Sequence, residues 1–157
     1  MENEKIITVD EVRGLFEDAA RELGLAAGST LDEHGACTIV SSVRGMPEIC
    51  FAFDAEGSCA DLFAEIAVIP EDRPDLLKDF LCNNLFRHET RGAVFALERE
   101  RNLLVCQRLI DFRTVEGANA LAEILSDFAE IAYAAKQHVF KPVESAAVDG
   151  EWMSVRV

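Results

Sequence analysis

Apolar positions change their spacing several times along the chain, and each change marks an element. Thr8 and Glu11 have the spacing of a capping box, in which two otherwise orphaned backbone donors at a helix start are satisfied. Val9, Val12, Phe16, Ala19, Ala20 and Leu23 then recur at steps of three and four, with Leu15 widening the stripe. Gly24 followed by Leu25 reads as a left-handed cap, which predicts a helix over residues 8–24. Next comes a β-rich run, Ala36–Val43, a turn at Arg44-Gly45-Met46, and a strand over Glu48–Asp54. There Ile49, Phe51 and Phe53 take one face, and Glu48, Cys50 and Ala52 the other. Ala55–Ser58 is a hairpin connection into a third strand, Asp61–Ile69, and tight turns between consecutive strands imply an antiparallel meander.

Pro70 ends that strand, and Pro74 suits the first turn of a short helix. Leu76, Leu77, Phe80, Leu81 and Leu85 carry it to residues 85–86. Gly92 opens a second hairpin, Ala93–Glu98 and Leu103–Ile110, joined by a polar turn at Arg99–Asn102. Thr114 is expected to cap a long helix ending near His138, with Ala118, Leu121, Leu125, Phe128, Ala132 and Ala135 as its stripe. The order is α-β-β-β-α-β-β-α. It predicts an α+β fold, a twisted antiparallel sheet with helices packed mainly on one face. Residues 1–139 are expected to form one domain, and 140–157 an appendage after Lys141-Pro142.

Two features exceed what a plain domain needs. Phe63, Ala67 and Ile69 oppose Leu62, Ile66 and Val68, and Leu103, Val105 and Leu109 oppose Leu104, Cys106 and Ile110. A sheet with one wet face should alternate with polar residues, so the second face is covered either by this chain or by another protein. Three helices, one of them short, look too few to cover both faces. The short helix is also apolar around most of its circumference, which fits burial in a core or an oligomer interface. The interface reading assigns Leu76, Leu77, Phe80, Leu81 and Leu85, with Val94 and Phe95, to a two-fold patch.

Composition narrows the possible partners. Half of the 157 residues are hydrophobic, yet 29 acidic against 15 basic side chains leave a net charge of −14. The apolar content is that of a folding chain, and the charge opposes nucleic acid and anionic membrane surfaces as partners. No membrane insertion is expected, since no stretch approaches a spanning length. The start, Met1 to Val12, lacks the basic and apolar regions of a signal peptide. Cys37, Cys50, Cys59, Cys82 and Cys106 are scattered and read as reduced thiols, so the expected compartment is the cytoplasm.

Catalytic patterns are missing. There is no C-x-x-C, H-E-x-x-H, P-loop, G-x-G-x-x-G or G-x-S-x-G arrangement. His34, His88 and His138 lie far apart, and the carboxylate pairs Asp32-Glu33 and Glu71-Asp72 read as solvated surface. The expectation is a protein without enzymatic activity, cofactor or metal.

The element order, size and acidity resemble the class I type III secretion chaperones of the Tir chaperone (CesT) family. Three stretches carry the resemblance: Cys50-Phe51-Ala52-Phe53-Asp54, the Leu76-Leu77, Leu81 and Asn84 pattern, and Leu103-Leu104-Val105-Cys106-Gln107. The resemblance covers residues 8–139. It implies a homodimer that keeps an extended N-terminal segment of an effector soluble and secretion-competent. Such a segment would add to a sheet edge through backbone hydrogen bonds and place apolar side chains in surface grooves. Leu15, Phe16, Ile49, Phe51, Phe53, Leu62 and Ile66 are the residues expected to face it. The alternative is a same-fold binding or regulatory domain outside secretion, similar to the YbjN-like proteins.

Overall fold

The computed structural model describes residues 7–26, 28–85 and 88–141. In chain order the elements are α1 (Val9–Glu22), β1 (Ala36–Ile39), β2 (Ile49–Asp54), β3 (Cys59–Val68), α2 (Pro74–Leu85), β4 (Val94–Glu98), β5 (Leu103–Asp111) and α3 (Gly117–Phe140). The expected α-β-β-β-α-β-β-α order is therefore observed. The strands form one antiparallel sheet in the order β1-β2-β3-β5-β4, which leaves β1 and β4 as its edges. The expected appendage begins inside α3, which runs through Phe140, and its remainder from 142 onward lies outside the described residues.

Local chemistry sets the boundaries. Thr8 and Glu11 make the capping box of α1 in both directions. At the other end Gly24 sits at φ +66°, Leu25 N–H donates to the Ala20 carbonyl, and Gly24 N–H donates to that of Arg21. This is a Schellman closure, which glycine makes without steric cost.

Several expected boundaries move, three of them with a clear local cause. β1 stops at Ile39 and does not run to Val43, because Ile39 pairs with Ile49 and the next ladder bond in that register would need an N–H from Pro47. α3 starts at Gly117, not at Thr114, whose hydroxyl instead donates to the Asp111 carbonyl and closes the turn after β5. β3 begins two residues earlier than expected, at Cys59, and carries a bulge between Glu65 and Ala67 that buries Ile66 and Ala67 in succession.

α1 and α3 pack together over one face of the sheet, and α2 lies against β4. The covered face holds Phe51, Phe53, Leu62, Ala64, Cys106 and Ile110, with Phe16 from α1 and Leu121, Leu125 and Phe128 from α3. An aromatic chain fixes its centre: ring centroids lie 5.2 Å apart for Phe16–Phe51, 6.2 Å for Phe51–Phe112 and 5.4 Å for Phe53–Phe112. A second group joins Phe80 of α2 to Phe95 of β4 at 4.8 Å and to the His138 ring at 5.7 Å.

Candidate functional site

The segment between α1 and β1 is held in place by hydrogen bonds from α1 and within itself. Arg13 holds it from below, donating from Nε to the Leu31 carbonyl at 3.2 Å and from Nη2 to the Asp32 carbonyl at 2.9 Å. Asp32 Oδ1 accepts from the backbone of His34 at 2.9 Å and of Ala36 at 2.8 Å, so this carboxylate launches β1. The bond from the Ala36 N–H, above all, holds the Asp32 carboxyl below its ordinary range. Gly35 turns at φ +83° with its backbone pressed against Phe53.

This loop and the β1 edge enclose a groove. Phe16, Leu25, Ala26, Cys37, Ile39 and Val40 form its apolar wall, with Thr38, Ser29 and Thr30 beside them, around a cavity of about 230 Å³. The cavity adjoins a second, of about 530 Å³, along the α1 residues Glu17, Ala20 and Arg21. The β1 edge facing it is open at one position. The Phe53 N–H donates to the Gly35 carbonyl, so by antiparallel alternation Cys37 and Ile39 turn their backbone groups toward β2, while Ala36 and Thr38 turn theirs outward. Ala36 is satisfied by Asp32, whose own N–H donates to the Ala36 carbonyl. Thr38 faces the groove mouth.

The residues expected to face a client lie elsewhere. Phe16, Ile49, Phe51, Phe53, Leu62 and Ile66 are buried in the core, and Leu15 is half-buried against it. Alternation along a strand identifies a common face, and here that face is the one α1 and α3 cover. Only Phe16 also reaches the groove. The groove residues Leu25, Cys37, Thr38, Ile39 and Val40 are not among the client-facing residues expected from the sequence.

The residues expected at a two-fold patch divide. Leu76, Phe80 and Phe95 are core, Leu77 and Val94 are half-buried, and Leu81 and Leu85 are exposed at 67% and 77%. Exposed Cys82 lies between those two leucines. On the uncovered sheet face Leu109 and Val68 are exposed while Leu103 and Val105 are buried, and Glu65 beside Val105 pairs with Arg101 at 3.1 Å. This chain therefore covers one sheet face and part of the other, and leaves apolar surface at α2.

The thiols with displaced ionisation are poor nucleophiles. Burial pushes Cys37 up to about 11 and Cys106 up to about 12, and it also raises Cys59. Of the three histidines, His138 meets Asp79 at 3.2 Å at the end of α3, and His34 lies on the surface. No group of three or more His, Cys, Asp or Glu side chains that could hold a metal occurs among the described residues. No helix there is long and apolar enough to cross a membrane.

The model of the Tir chaperone protein (CesT) family matches residues 15–135. The chain belongs to this family. No curated protein matches it at a significant level. Solved structures similar to this chaperone include the ExsC–ExsE complex, with a TM-score of 0.67 at 16% identity, covering 87% of this chain and 98% of that one. A HopA1–SchA chaperone–effector complex aligns with a TM-score of 0.61 at 16% identity, over 80% of this chain and 93% of the other. The Yersinia pestis type III secretion chaperone SycH, in complex with a stable fragment of YscM2, aligns with a TM-score of 0.59 at 20% identity, over 78% and 98%. At these identities the likeness establishes a common fold. With the family match, it favours a secretion chaperone over a YbjN-like regulator.

Proposed function

We propose that this chaperone works in the cytoplasm as a homodimer, holding an extended segment of a secreted effector against the open edge of β1 so that the effector stays soluble and secretion-competent. The observation that carries the reading is the outward-facing backbone of Thr38 at the mouth of an apolar groove. A strand added there gains backbone hydrogen bonds at Thr38. Its alternate side chains enter the groove between Phe16, Leu25 and Ile39, and the others stay in water. Ordering such a segment costs several kcal/mol, which the buried apolar side chains must offset. The net charge of −14 favours a client segment carrying Lys or Arg, and the relatives crystallised as chaperone–effector complexes support an effector as the client class.

Exposed Leu81, Cys82 and Leu85 of α2, with half-buried Leu77 and Val94, form the surface proposed to meet its own copy. Holding a client this way needs no ATP, cofactor or covalent step, so the proposed activity is binding alone.

Thr38→Pro tests the reading. Proline removes the outward N–H and is tolerated on an edge strand, while Cys37 and Ile39 keep their bonds to β2. Affinity capture from the source cell, followed by limited proteolysis, should yield one protected extended segment with the wild type and none with Thr38→Pro. Equal capture by both, with the same protected fragment, overturns the β1 site.

A further inference from the structure

The end of α3 brings the rest of the chain close to the β1 groove. Gln137 Nε2 lies 3.9 Å from where a side chain on Gly45 would begin, in the loop between β1 and β2, and His138 meets Asp79 at 3.2 Å. Gly45 precedes Cys50 by five residues, and Cys50 pairs with Thr38, so Gly45 and Thr38 are at most about 24 Å apart. The eleven steps from Lys141 to Trp152 span up to about 36 Å when extended, a reach well beyond that separation. At that point the sequence changes character. Met153, Val155 and Val157 alternate with Ser154 and Arg156, the period-two pattern of a half-buried strand. Arg156 is the one basic residue beyond Lys141, in a chain whose net charge is −14.

We propose that residues 152–157 of this chain occupy the β1 edge and its groove when no client is bound, so that a client enters by displacing them. The proposal rests on the strand-addition reading above and names the competitor that a client must overcome. The outward backbone of Thr38 supplies the hydrogen bonds. Met153, Val155 and Val157 enter the groove along Leu25, Ile39 and Val40, which is 64% exposed, while Ser154 and Arg156 take the other face beside exposed Thr38 and Cys50. Tethering makes so short a strand effective, because a linker of this kind holds it near its site at an effective concentration on the order of millimolar. An empty groove beside an open strand edge is a template for aggregation, and a resident strand that leaves on demand covers both. Leu97, the open outward position of β4, is the competing place. The contact of α3 with the β1–β2 loop, and the second copy proposed on the α2 surface beside β4, favour β1.

The test has two arms, both on the full chain. In the free protein the Thr38 amide should exchange slowly. Val155→Asp, which puts a carboxylate into the apolar groove, should speed that exchange about tenfold, the scale of one modest hydrogen bond. Val155→Ile keeps an apolar side chain and should leave Thr38 protected. Trp152 is the only tryptophan, so its emission follows this segment alone. Acrylamide should quench it more in Val155→Asp and in Thr38→Pro than in the wild type. Thr38 exchange and Trp152 quenching that are the same in the wild type and Val155→Asp overturn the proposal. Protection that is lost at Leu97 instead of Thr38 also overturns it, by placing the segment on β4.

In the second arm a short synthetic peptide alternating Val and Lys is titrated, with amide signals reporting where it adds. Tenfold protection of Thr38 leaves the edge open about one-tenth of the time, so the peptide should bind Val155→Asp about tenfold more tightly than the wild type. In the wild type, Trp152 quenching should rise in step with binding. Equal affinity for the two proteins, with Trp152 undisturbed, overturns the displacement. A peptide that protects Thr38 in neither protein sinks the client reading of β1 instead, and Thr38 exchange in the free proteins still decides the place of residues 152–157.

Discussion

Leu81→Ala should weaken self-association without destabilising the chain. The side chain is 67% exposed in one copy, so a dimer has about two-thirds of a leucine left to bury there. Complete burial of a leucine stabilises by about 1.5–3 kcal/mol, which makes this share about 1–2 kcal/mol per protomer. Two-fold symmetry doubles the effect, and the alanine retains one of the four side-chain carbons. The expected loss is roughly 1.5–3 kcal/mol, a dimer dissociation constant raised about 12- to 160-fold. Sedimentation velocity over a dilution series reads this directly.

The stability of the fold should hold within about 0.5 kcal/mol, as expected for an exposed position. Phe80→Ala provides the contrast. Phe80 is 3% exposed and packs on Phe95, so its loss should cost the fold itself about 3–5 kcal/mol and abolish dimers by unfolding. A Leu81→Ala protein whose dimer constant stays within threefold of the wild type removes the exposed face of α2 from the interface.

The loop before β1 supports two further predictions. Gly35→Ala places a Cβ at φ +83° and 3.2 Å from Phe53 Cβ, so it should cost at least about 1–2 kcal/mol and lower the calorimetric Tm by about 2–8 °C. An unchanged Tm would mean that the turn does not hold the loop. Asp32 has a folded pKa below its ordinary 3.8, so the stability it contributes is present above that value and is lost as pH falls through the folded one. The gap in urea midpoint between wild type and Asp32→Ala should therefore be full above about pH 4 and narrow below it. A gap constant down to pH 2 would show that ionisation is not what makes the carboxylate a good acceptor for the Ala36 N–H.

The element order was readable because local signals agreed with the fold. The Thr8–Glu11 box, the Gly24 closure and the turns around Gly45 and Asn102 each depend on neighbours within a few residues. The end of β1 was misjudged because it is set across the ladder, by Pro47, and not by the β-rich run that contains it. The site was less legible for the same kind of reason. Ile49, Phe51 and Phe53 share a face in any reading, but whether that face meets α1 and α3 or a client is decided by residues more than thirty positions away. In α2 the apolar circumference splits into two stripes, each of residues four apart: Leu76 and Phe80 enter the core, while Leu81 and Leu85 remain outside. Phe95 selects between them, because its ring packs at a tilt against Phe80.

One residue in that helix carried information that hydrophobicity alone hides. Asn84 interrupts a run of leucines and lowers the helix propensity where packing would favour another apolar side chain. A half-buried amide is favourable at such a place when its donor and acceptor are both used, because leaving either unpaired costs more than the bond returns. Partners within the helix are already committed to its own ladder, so they must come from backbone that no other element satisfies. In a sheet flanked by one short helix, that backbone is an edge strand. An amide between exposed leucines on a helix preceding a hairpin therefore reads as a sign that the helix docks on the hairpin's outer strand. The two 2.7 Å bonds to Phe95 are that docking.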